Sequence, residues 1–193
     1  MFENLKNYKI VLASNSPRRR ELLAGLGLHF EVKVLPDIEE SYPEGLPVTE
    51  IAQYIAAEKA DSYVETMVSD ELLITADTVV VVDDEVLGKP KDAADACRML
   101  RLLSGRKHQV ITGVCLLTST KRKCFSVTTE VTFKNLSDEE ITFYVGHYRP
   151  FDKAGAYGIQ EWIGYIGVTG IDGSYFNVMG LPVQRIYTEL ADI

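Results

Sequence analysis

One apolar run constrains the fold of this chain more than any other feature of its sequence. It reads LLITADTVVVV, and its two halves, Leu72–Ala76 and Thr78–Val82, predict one continuous strand that Asp77 interrupts. A carboxylate at such a position meets the core or the carboxyl end of a strand, and its burial is costly unless it has a partner. We therefore expect Asp77 to have a charged or hydrogen-bonding partner.

Strands and helices alternate along the chain around this run, which predicts an α/β protein. Before the run, we expect a strand at Tyr8–Ala13, a turn, a helix that starts after the N-cap Ser16, a strand over 28–36 and a helix over about 49–66. After the run, we expect a turn at Asp83–Asp84, a strand at Val86–Leu87, a helix at Ala93–Leu103, a hairpin of 110–117 with 125–133, and a helix from the capping box Ser137–Glu140 that ends at Gly146.

Glycine is concentrated near the end of the chain. Seven of the 14 glycines lie from Gly155 to Gly180, so we expect this region to be a binding loop shaped by its backbone, not packed helix. The C-terminal segment VQRIYTEL fits a strand or a helix. No internal repeat or low-complexity linker occurs, so any second lobe would be an insertion within the α/β core.

The overall charge excludes some classes of partner. The chain has 20 Lys and Arg against 28 Asp and Glu, a formal net charge of −8, which disfavours nucleic acid polymers and anionic membrane surfaces. No apolar run reaches the roughly 20 residues that span a bilayer, and the N-terminal segment lacks the features of a signal peptide. We expect a cytoplasmic protein.

The cysteines and histidines do not form a recognisable metal motif. Cys97, Cys115 and Cys124 include no C-x-x-C pair, and we expect them to be reduced packing residues. The three histidines are scattered and form no H-E-x-x-H pattern, so a zinc site built from histidine is not expected.

The segment Ser14–Arg20 is the strongest candidate for an anion site. Arg18, Arg19 and Arg20 occupy the first turn of a predicted helix, where the helix dipole favours acidic residues instead. A bound phosphate would offset the repulsion between the arginines and the positive end of the helix dipole. Backbone N–H groups, serine hydroxyls and guanidinium groups can all donate hydrogen bonds to phosphate oxygens. The alternative is that the arginines pair with surface carboxylates. The chain has no Walker A loop.

Further charged residues stand out by their positions. Lys59 interrupts the apolar stripe of the second helix, so its side chain either extends to solvent or enters a site. Lys89 lies on the stiff turn Gly88–Pro90. Asp77 is the leading candidate for a general base or metal ligand, the alternative being a helix cap or turn residue. Glu39 and Glu40 become relevant if a polyphosphate site needs Mg²⁺.

The glycine-rich region adds polar and aromatic side chains. Gln160 and Asn177 have groups that can read a base edge, and Tyr157 and Tyr175 have rings that can stack on one, although such residues are common in any loop. Trp162 is expected to be a packing residue.

Several segments, in their order and separation, resemble the Maf family of nucleoside triphosphate pyrophosphatases: LASNSPRRRELL, AEKA, ADTVV, GKP, DKAGAYGIQ and GSYFNVMGLP. The resemblance runs from Val11 to Pro182. It implies one Maf-like domain over 1–193, with an elongated mixed sheet flanked by helices and two lobes around a central cleft, an architecture like that of the inosine triphosphate pyrophosphatases. It also implies a homodimer as the common assembly.

The resemblance further implies hydrolysis of a nucleoside triphosphate to the monophosphate and diphosphate with a divalent metal cation, Mg²⁺ or Mn²⁺. By position, Asp77 matches the family's proton acceptor, and Glu40 and Asp77 match metal-handling positions. The residues that match phosphate and substrate positions are Ser14, Arg18, Arg19, Lys59, Thr78, Lys89 and Gln160.

Three short segments resemble the branch of this family that acts on dTTP and UTP: Pro17–Arg19, Ala76–Thr78 and Gly158–Gln160. They are unlike the branch that prefers 7-methyl-GTP. The chain departs from the family pattern at Asn15, where many members have glycine, and in the segment EWIGYIGVTGI.

Two other functions stay open at this point. One is a pyrophosphatase directed at modified purines, such as inosine or methylated guanine. The other is a nucleotide-responsive regulator of septum formation without enzymatic activity. The carboxylates at 40 and 77 argue against the regulator, because a protein that only binds polyanions gains nothing from them.

Overall fold

The computed structural model describes residues 3–36, 38 and 40–193. Within these residues, the strands are β1 (Lys9–Leu12), β2 (Phe30–Val32), β3 (Glu71–Val82), β4 (Glu85–Leu87), β5 (Lys107–Leu117), β6 (Arg122–Phe133) and β7 (Val168–Asp172). The α-helices are α1 (Pro17–Ala24), α2 (Val48–Asp61), α3 (Ala93–Leu103), α4 (Asp138–Tyr148), α5 (Trp162–Gly167), α6 (Tyr175–Met179) and α7 (Val183–Leu190). Short 3₁₀ turns occur at Glu3–Leu5, Val64–Thr66 and Ala154–Ala156.

The strands form one seven-stranded sheet in the order β2-β1-β3-β5-β6-β7, with β4 paired to β3. Strand β1 is parallel to β2 and β3, whereas β4 is antiparallel to β3 and β7 is antiparallel to β6. Parallel neighbours need long crossover connections. Helix α1 lies in the connection from β1 to β2, and α2 lies in that from β2 to β3. The predicted α/β class with a mixed sheet is confirmed.

The chain divides into two compact units. Unit 1 comprises residues 1–77, 112–127 and 180–193, and unit 2 comprises 78–111 and 128–179. The long strands β3, β5 and β6 contribute residues to both units. The division falls within the interrupted apolar strand, because Asp77 belongs to unit 1 and Thr78 to unit 2.

Helix α2 packs very closely on the sheet of unit 1. A Cβ at Gly113 of β5 would lie 2.2 Å from the backbone of Ala52, so only glycine permits this approach. The hydroxyl of Thr75 in β3 donates a hydrogen bond of 2.6 Å to the carbonyl of Ala56. Both contacts fix the height of α2 above β3 and β5, and so they determine where its last turn, which carries Lys59, meets β3.

Unit 2 has its own apolar core, to which β3, β5, β6, α3 and α4 all contribute. Its capping box is present as predicted: Ser137 accepts a hydrogen bond from the backbone of Glu140, and the Glu140 carboxylate accepts one from the backbone of Ser137. This core includes Val80, Val82, Leu100, Leu103, Val110, Val131, Phe133, Ile141, Tyr144, Tyr157 and Ile163.

The sequence predicted that helix α4 ends at Gly146, and this prediction was wrong. It continues to Tyr148, and Arg149 takes the left-handed conformation at the C-cap with φ of 48°. The N–H of Arg149 donates to the carbonyl of Val145 at 3.1 Å, which satisfies one of the terminal carbonyls. The helix therefore ends at a non-glycine C-cap, Arg149, and continues past Gly146.

The prediction that the glycine-rich region is loop was wrong. It contains α5, β7 and α6, and the C-terminal segment is helix α7. Gly164 shows the physical reason, because a Cβ there would lie 1.7 Å from the carbonyl oxygen of Ile159. Glycine at this position serves close packing of a helix, which the sequence pattern does not distinguish from the flexibility of a loop.

Other elements are shorter than the sequence predicted. Strand β2 covers only Phe30–Val32, and α2 ends at Asp61, with a separate 3₁₀ turn at Val64–Thr66. Helix α2 has 14 residues, and among the described residues no helix combines the length and apolar character needed to cross a membrane.

Candidate active site

The turn between β1 and α1 is built by two serines. Ser14 is buried, and its hydroxyl accepts a hydrogen bond of 3.2 Å from the backbone N–H of Ser16. Ser16 is the N-cap of α1 and accepts from the backbone N–H of Arg19, while Pro17 occupies the first turn. The predicted strand, turn and helix are confirmed, and Arg19 in the first turn of α1 reaches the carbonyl of Ala76 in the middle of β3.

Arg19 connects three separate segments of unit 1. Its Nε donates to the carbonyl of Gly180 and its Nη1 to the carbonyl of Ala76, both at 2.8 Å. Burial lowers the pKa of this guanidinium, and the negative charges of Asp77 and Glu40 oppose that effect. Arginine keeps its charge in such surroundings. Arg19 therefore brings a fixed positive charge close to the two carboxylates.

Lys59 joins both predicted carboxylates. Its Nζ lies 2.8 Å from Oδ1 of Asp77 and 2.7 Å from Oε1 of Glu40. The side chains of Lys59 and Asp77 are only 11% and 10% exposed, whereas that of Glu40 is 41% exposed. Lys59 therefore does not extend to solvent, and Asp77 is neither a helix cap nor a turn residue. The expected partner of Asp77 is this lysine.

The other arginines of the first turn lie in different surroundings. Arg18 is partly buried, and its positive charge contributes to lowering the pKa of Arg19. Arg20 makes longer contacts of 3.4 Å, from Nε to the carbonyl of Ser14 and from Nη2 to Oδ1 of Asn15. The second of these contacts links Arg20 to the residue at which the chain departs from the family pattern.

Unit 1 thus brings together most of the predicted site residues. Those linked by the hydrogen bonds, ion pairs and electrostatic effects described above are Arg18, Arg19, Glu40, Lys59 and Asp77, with Ser14 in the turn before α1. Glu39 lies outside the described residues.

Three predicted substrate residues belong to unit 2. Thr78 is partly buried in β3, directly after Asp77 in the chain, and Lys89 is exposed on the turn after β4. Gln160 has a buried Oε1 that accepts no hydrogen bond from any described residue. Leaving a buried amide oxygen without a hydrogen bond costs free energy, so this oxygen is suited to accept a hydrogen bond from a bound molecule.

The segment that carries Gln160 is held by residues that sequence reasoning missed. The backbone N–H of Gly158 donates a hydrogen bond of 3.0 Å to the hydroxyl of Tyr144, and that hydroxyl also contacts the carboxylate of Glu161. Lys153 lies 3.1 Å from Glu161 through its Nζ. Burial raises the pKa of Tyr144, so its hydroxyl remains protonated. The only sequence signal is that Tyr144 lies on the apolar face of α4.

Other residues of the glycine-rich region serve the core of unit 2. Asn177 is buried, and its Nδ2 donates to the carbonyl of Val110 and to Oγ1 of Thr129. The hydroxyl of Tyr157 lies 2.7 Å from Nε2 of His108. These hydrogen bonds show that Asn177 and Tyr157 are buried as part of the core of unit 2. Trp162 is partly buried against the same core, as expected of a packing residue.

The carboxylates of unit 1 fit a divalent cation in their chemistry. Glu40 and Asp77 both approach one ammonium group, so their oxygens lie within a small space. Carboxylate oxygens are the ligands that Mg²⁺ and Mn²⁺ prefer. The described residues contain no group of three or more His, Cys, Asp or Glu side chains placed to hold a metal. Substrate oxygens and water would complete such a site, as is usual for Mg²⁺.

Several known proteins are similar to this chain over nearly its whole length. The profile of a family described as "Maf-like protein" matches residues 9–193. A dTTP/UTP pyrophosphatase of Phocaeicola vulgatus is 65% identical over 98% of both chains, and one of Bacteroides fragilis is 58% identical over the full length of both. The structure of the Staphylococcus aureus Ham1 protein has a TM-score of 0.54 at 17% identity and covers 94% of this chain and 99% of its own. That likeness shows a shared fold.

Proposed function

Since this chain belongs to the Maf family, we propose that it is a nucleoside triphosphate pyrophosphatase that hydrolyses dTTP and UTP to the monophosphate and diphosphate. Relatives named dTTP/UTP pyrophosphatase support the proposal, because their sequence identity with this chain extends over nearly the whole of both chains. The observation that carries it is the contact of Lys59 with both Asp77 and Glu40. In this contact one ammonium group lies against two carboxylates, of which Asp77 would be the proton acceptor.

Asp77 is the proposed general base. Its Oδ1 accepts a hydrogen bond from Lys59, which orients the carboxylate, and the other oxygen would accept the proton of the attacking water. The water attacks the α-phosphorus and diphosphate leaves. Because Asp77 is nearly buried, its charge is poorly screened by solvent, and this strengthens its interaction with a reacting group.

The positive charges of Arg18, Arg19 and Lys59 would offset the negative charge of the triphosphate. Stabilising the charge that develops on the leaving group is the main contribution of a protein to phosphoryl transfer. The hydrogen bonds of Arg19 to Gly180 and Ala76 fix its guanidinium before substrate binds. Such preorganisation is what makes a charge effective in a transition state. Ser14 would add a hydroxyl to the same phosphate site.

The family pattern also assigns substrate contacts to residues of unit 2. Lys89 would contribute charge to the triphosphate, and Thr78 and Gln160 would take part in the choice of base. The buried Oε1 of Gln160 supports this role, because an amide oxygen can accept the imide N–H that thymine and uracil share. Cytosine lacks that N–H group, so Gln160 would favour dTTP and UTP over cytidine triphosphates.

Glu40 and Asp77 would hold the divalent cation, Mg²⁺ or Mn²⁺. When bound, a cation of this kind supplies positive charge to phosphate oxygens and promotes attack at phosphorus. Lys59 contacts both carboxylates, so it would compete with the cation for their oxygens. Glu40 is the more exposed of the two and would exchange its partner more readily.

A broader biological role follows from this activity. We propose a cytoplasmic enzyme that removes unwanted nucleotides from the pool and acts as a homodimer. The net charge of −8 disfavours nucleic acid polymers as partners.

The decisive test is a panel of triphosphates incubated with the pure protein and Mg²⁺ or Mn²⁺, followed by identification of the products. Release of diphosphate from dTTP and UTP, faster than from purine triphosphates, is the expected result. Orthophosphate as the first product would contradict the cleavage position. Faster turnover of inosine or methylated guanine triphosphates would contradict the choice of substrate, and tight binding without any product would support the non-enzymatic regulator instead.

A further inference from the structure

Two of the three cysteines lie on neighbouring strands of unit 1. The backbone N–H of Thr118 donates a hydrogen bond of 2.8 Å to the carbonyl of Lys121, which closes the tight turn between β5 and β6. Counted back from this pair, Cys115 lies opposite Cys124 in the antiparallel hairpin, at a position without backbone hydrogen bonds between the two residues. Opposed residues of this kind have Cα atoms about 4.5 Å apart, and their side chains approach closely.

The side chains confirm this placement. The Sγ atoms of Cys115 and Cys124 are 2.6 Å apart, compared with about 2.05 Å in a disulfide bond. Both thiols are free in this structure. Only a small movement would be needed for the two sulfurs to bond.

The two thiols differ in their surroundings. Cys115 is fully buried in an apolar cluster that includes Ala60 and Tyr63, whereas Cys124 is only partly buried and packs against the same cluster. The hydrogen bond between the thiols raises the pKa of Cys115 and lowers that of Cys124, and the positive charge of Arg122 lowers the pKa of Cys124 further. Cys124 is therefore the more accessible sulfur and the one that ionises first.

We propose that Cys115 and Cys124 are a reversible oxidation site, which hydrogen peroxide converts to an intramolecular disulfide. Geometry carries this proposal: the sulfurs are opposed on a hairpin, in contact, and one of them reaches the surface region of the cluster. Cys97 lies in unit 2 and takes no part.

The chemistry is a two-electron oxidation in two steps. The Cys124 thiolate attacks one oxygen of the peroxide, the O–O bond breaks and hydroxide leaves, which gives a sulfenic acid. The sulfur of Cys115 then attacks that of Cys124, the S–O bond breaks, and the hydroxide with the thiol proton forms water. In total, two thiols and one peroxide yield one disulfide and two waters. A dithiol reductant restores both thiols and is itself oxidised to a disulfide.

The bond would fasten β5 to β6 beneath α2. Cys115 belongs to the same apolar cluster as Ala60, the residue after Lys59, so the site lies in the core beside the helix that carries the lysine of the candidate active site. A covalent link across a short hairpin reduces the freedom of the unfolded chain and raises the temperature of unfolding. The oxidised protein is expected to unfold at a higher temperature than the reduced protein.

The test is a titration of free thiols in the purified full-length protein after exposure to hydrogen peroxide. Alkylation under denaturing conditions should fall from three thiols to one, and the intact mass should fall by two hydrogens. Peptide mapping should show a link between Cys115 and Cys124 that dithiothreitol removes. Cys97→Ser should form the same link, whereas Cys115→Ser should accumulate a sulfenic acid at Cys124.

Three results would overturn the proposal. The first is that Cys115 and Cys124 both remain open to alkylation at a peroxide concentration that fully oxidises glutathione. The second is a link that involves Cys97. The third is an oxidised product that migrates as a dimer without reductant. The native protein is the main sample in each case, so a variant that fails to fold does not decide the outcome.

Discussion

Lys59 Nζ lies 2.8 Å from Oδ1 of Asp77, and both side chains are almost completely shielded from water. The two residues come from the last turn of α2 and the middle of β3. Their contact depends on the close approach of α2 to the sheet, which Gly113 permits. The ion pair is thus both a product of the packing of unit 1 and the centre of its candidate site.

Replacing the lysine should destabilise the protein. Lys59→Met leaves two carboxylates near each other with less positive charge, and the loss of one partner from a buried pair costs about 3 kcal/mol. We expect this decrease in the free energy of unfolding by urea denaturation. Lys9→Met is the matched control, because Lys9 forms an exposed pair with Asp70 and should change stability little. The double variant K59M/D77N should recover part of the loss, and equal losses in the single and double variants would contradict a coupled pair.

Replacing the proposed base should stop catalysis. Asp77→Asn keeps the shape of the side chain but removes a proton acceptor, so we expect hydrolysis of dTTP and UTP to fall by about 10²–10⁴-fold. Initial rates with Mg²⁺ measure the effect, and Asp70→Asn is the control at an exposed carboxylate. Activity of Asp77→Asn within a few-fold of the original protein would refute the assignment.

Much of the local structure could be predicted from the sequence. Ser16 at the start of α1 and the Ser137–Glu140 capping box were predicted because a cap depends on residues within one turn. The role of glycine could not be predicted in the same way. Gly164 avoids a clash with Ile159, and that demand exists only once the helix has packed.

The residues of the candidate site stood out in the sequence, whereas the contacts between them did not. Lys59 in an apolar stripe and Asp77 in an apolar strand each stood out, but nothing local shows that they meet. For Arg19, the sequence predicted a phosphate ligand and gave no sign of its bonds to the carbonyls of Ala76 and Gly180, which are 57 and 161 residues away. Long-range partners of this kind follow from the topology of the sheet.

Arginine at position 19 should not be replaceable by lysine. Arg19→Lys keeps the charge but cannot donate from two directions to Gly180 and Ala76, so a carbonyl loses its donor. We expect a loss of about 1–3 kcal/mol in the free energy of unfolding, together with slower hydrolysis. Arg20→Lys is the control, since the contacts of Arg20 with Ser14 and Asn15 are longer, at 3.4 Å. Equal effects of the two substitutions would contradict a specific role for Arg19.

His108 should make stability depend on pH. Burial lowers its pKa to about 4 in the folded protein, from an ordinary value of about 6.5 in the unfolded chain. Between these two values the unfolded chain binds the extra proton, so stability is complete above pH 6.5 and falls as the pH decreases toward 4. The full loss corresponds to about 3 kcal/mol. Urea denaturation across this range should show a smaller pH dependence for His108→Gln than for the original protein, whereas the exposed His29→Gln should leave it unchanged.

Tyr144 should influence the choice of nucleotide without contacting it. Its hydroxyl accepts from the N–H of Gly158 and contacts Glu161, so it holds both sides of the segment that carries Gln160. Tyr144→Phe leaves the buried N–H without its acceptor, at a cost of about 1–3 kcal/mol in stability, and loosens that segment. If Gln160 reads the base, KM for dTTP should rise and the preference for dTTP over dCTP should fall, while kcat changes less. Tyr148→Phe is the matched control, because Tyr148 lies on the same helix and its ring stacks against that of Tyr144. An unchanged preference in a destabilised Tyr144→Phe would show that this hydroxyl serves folding alone.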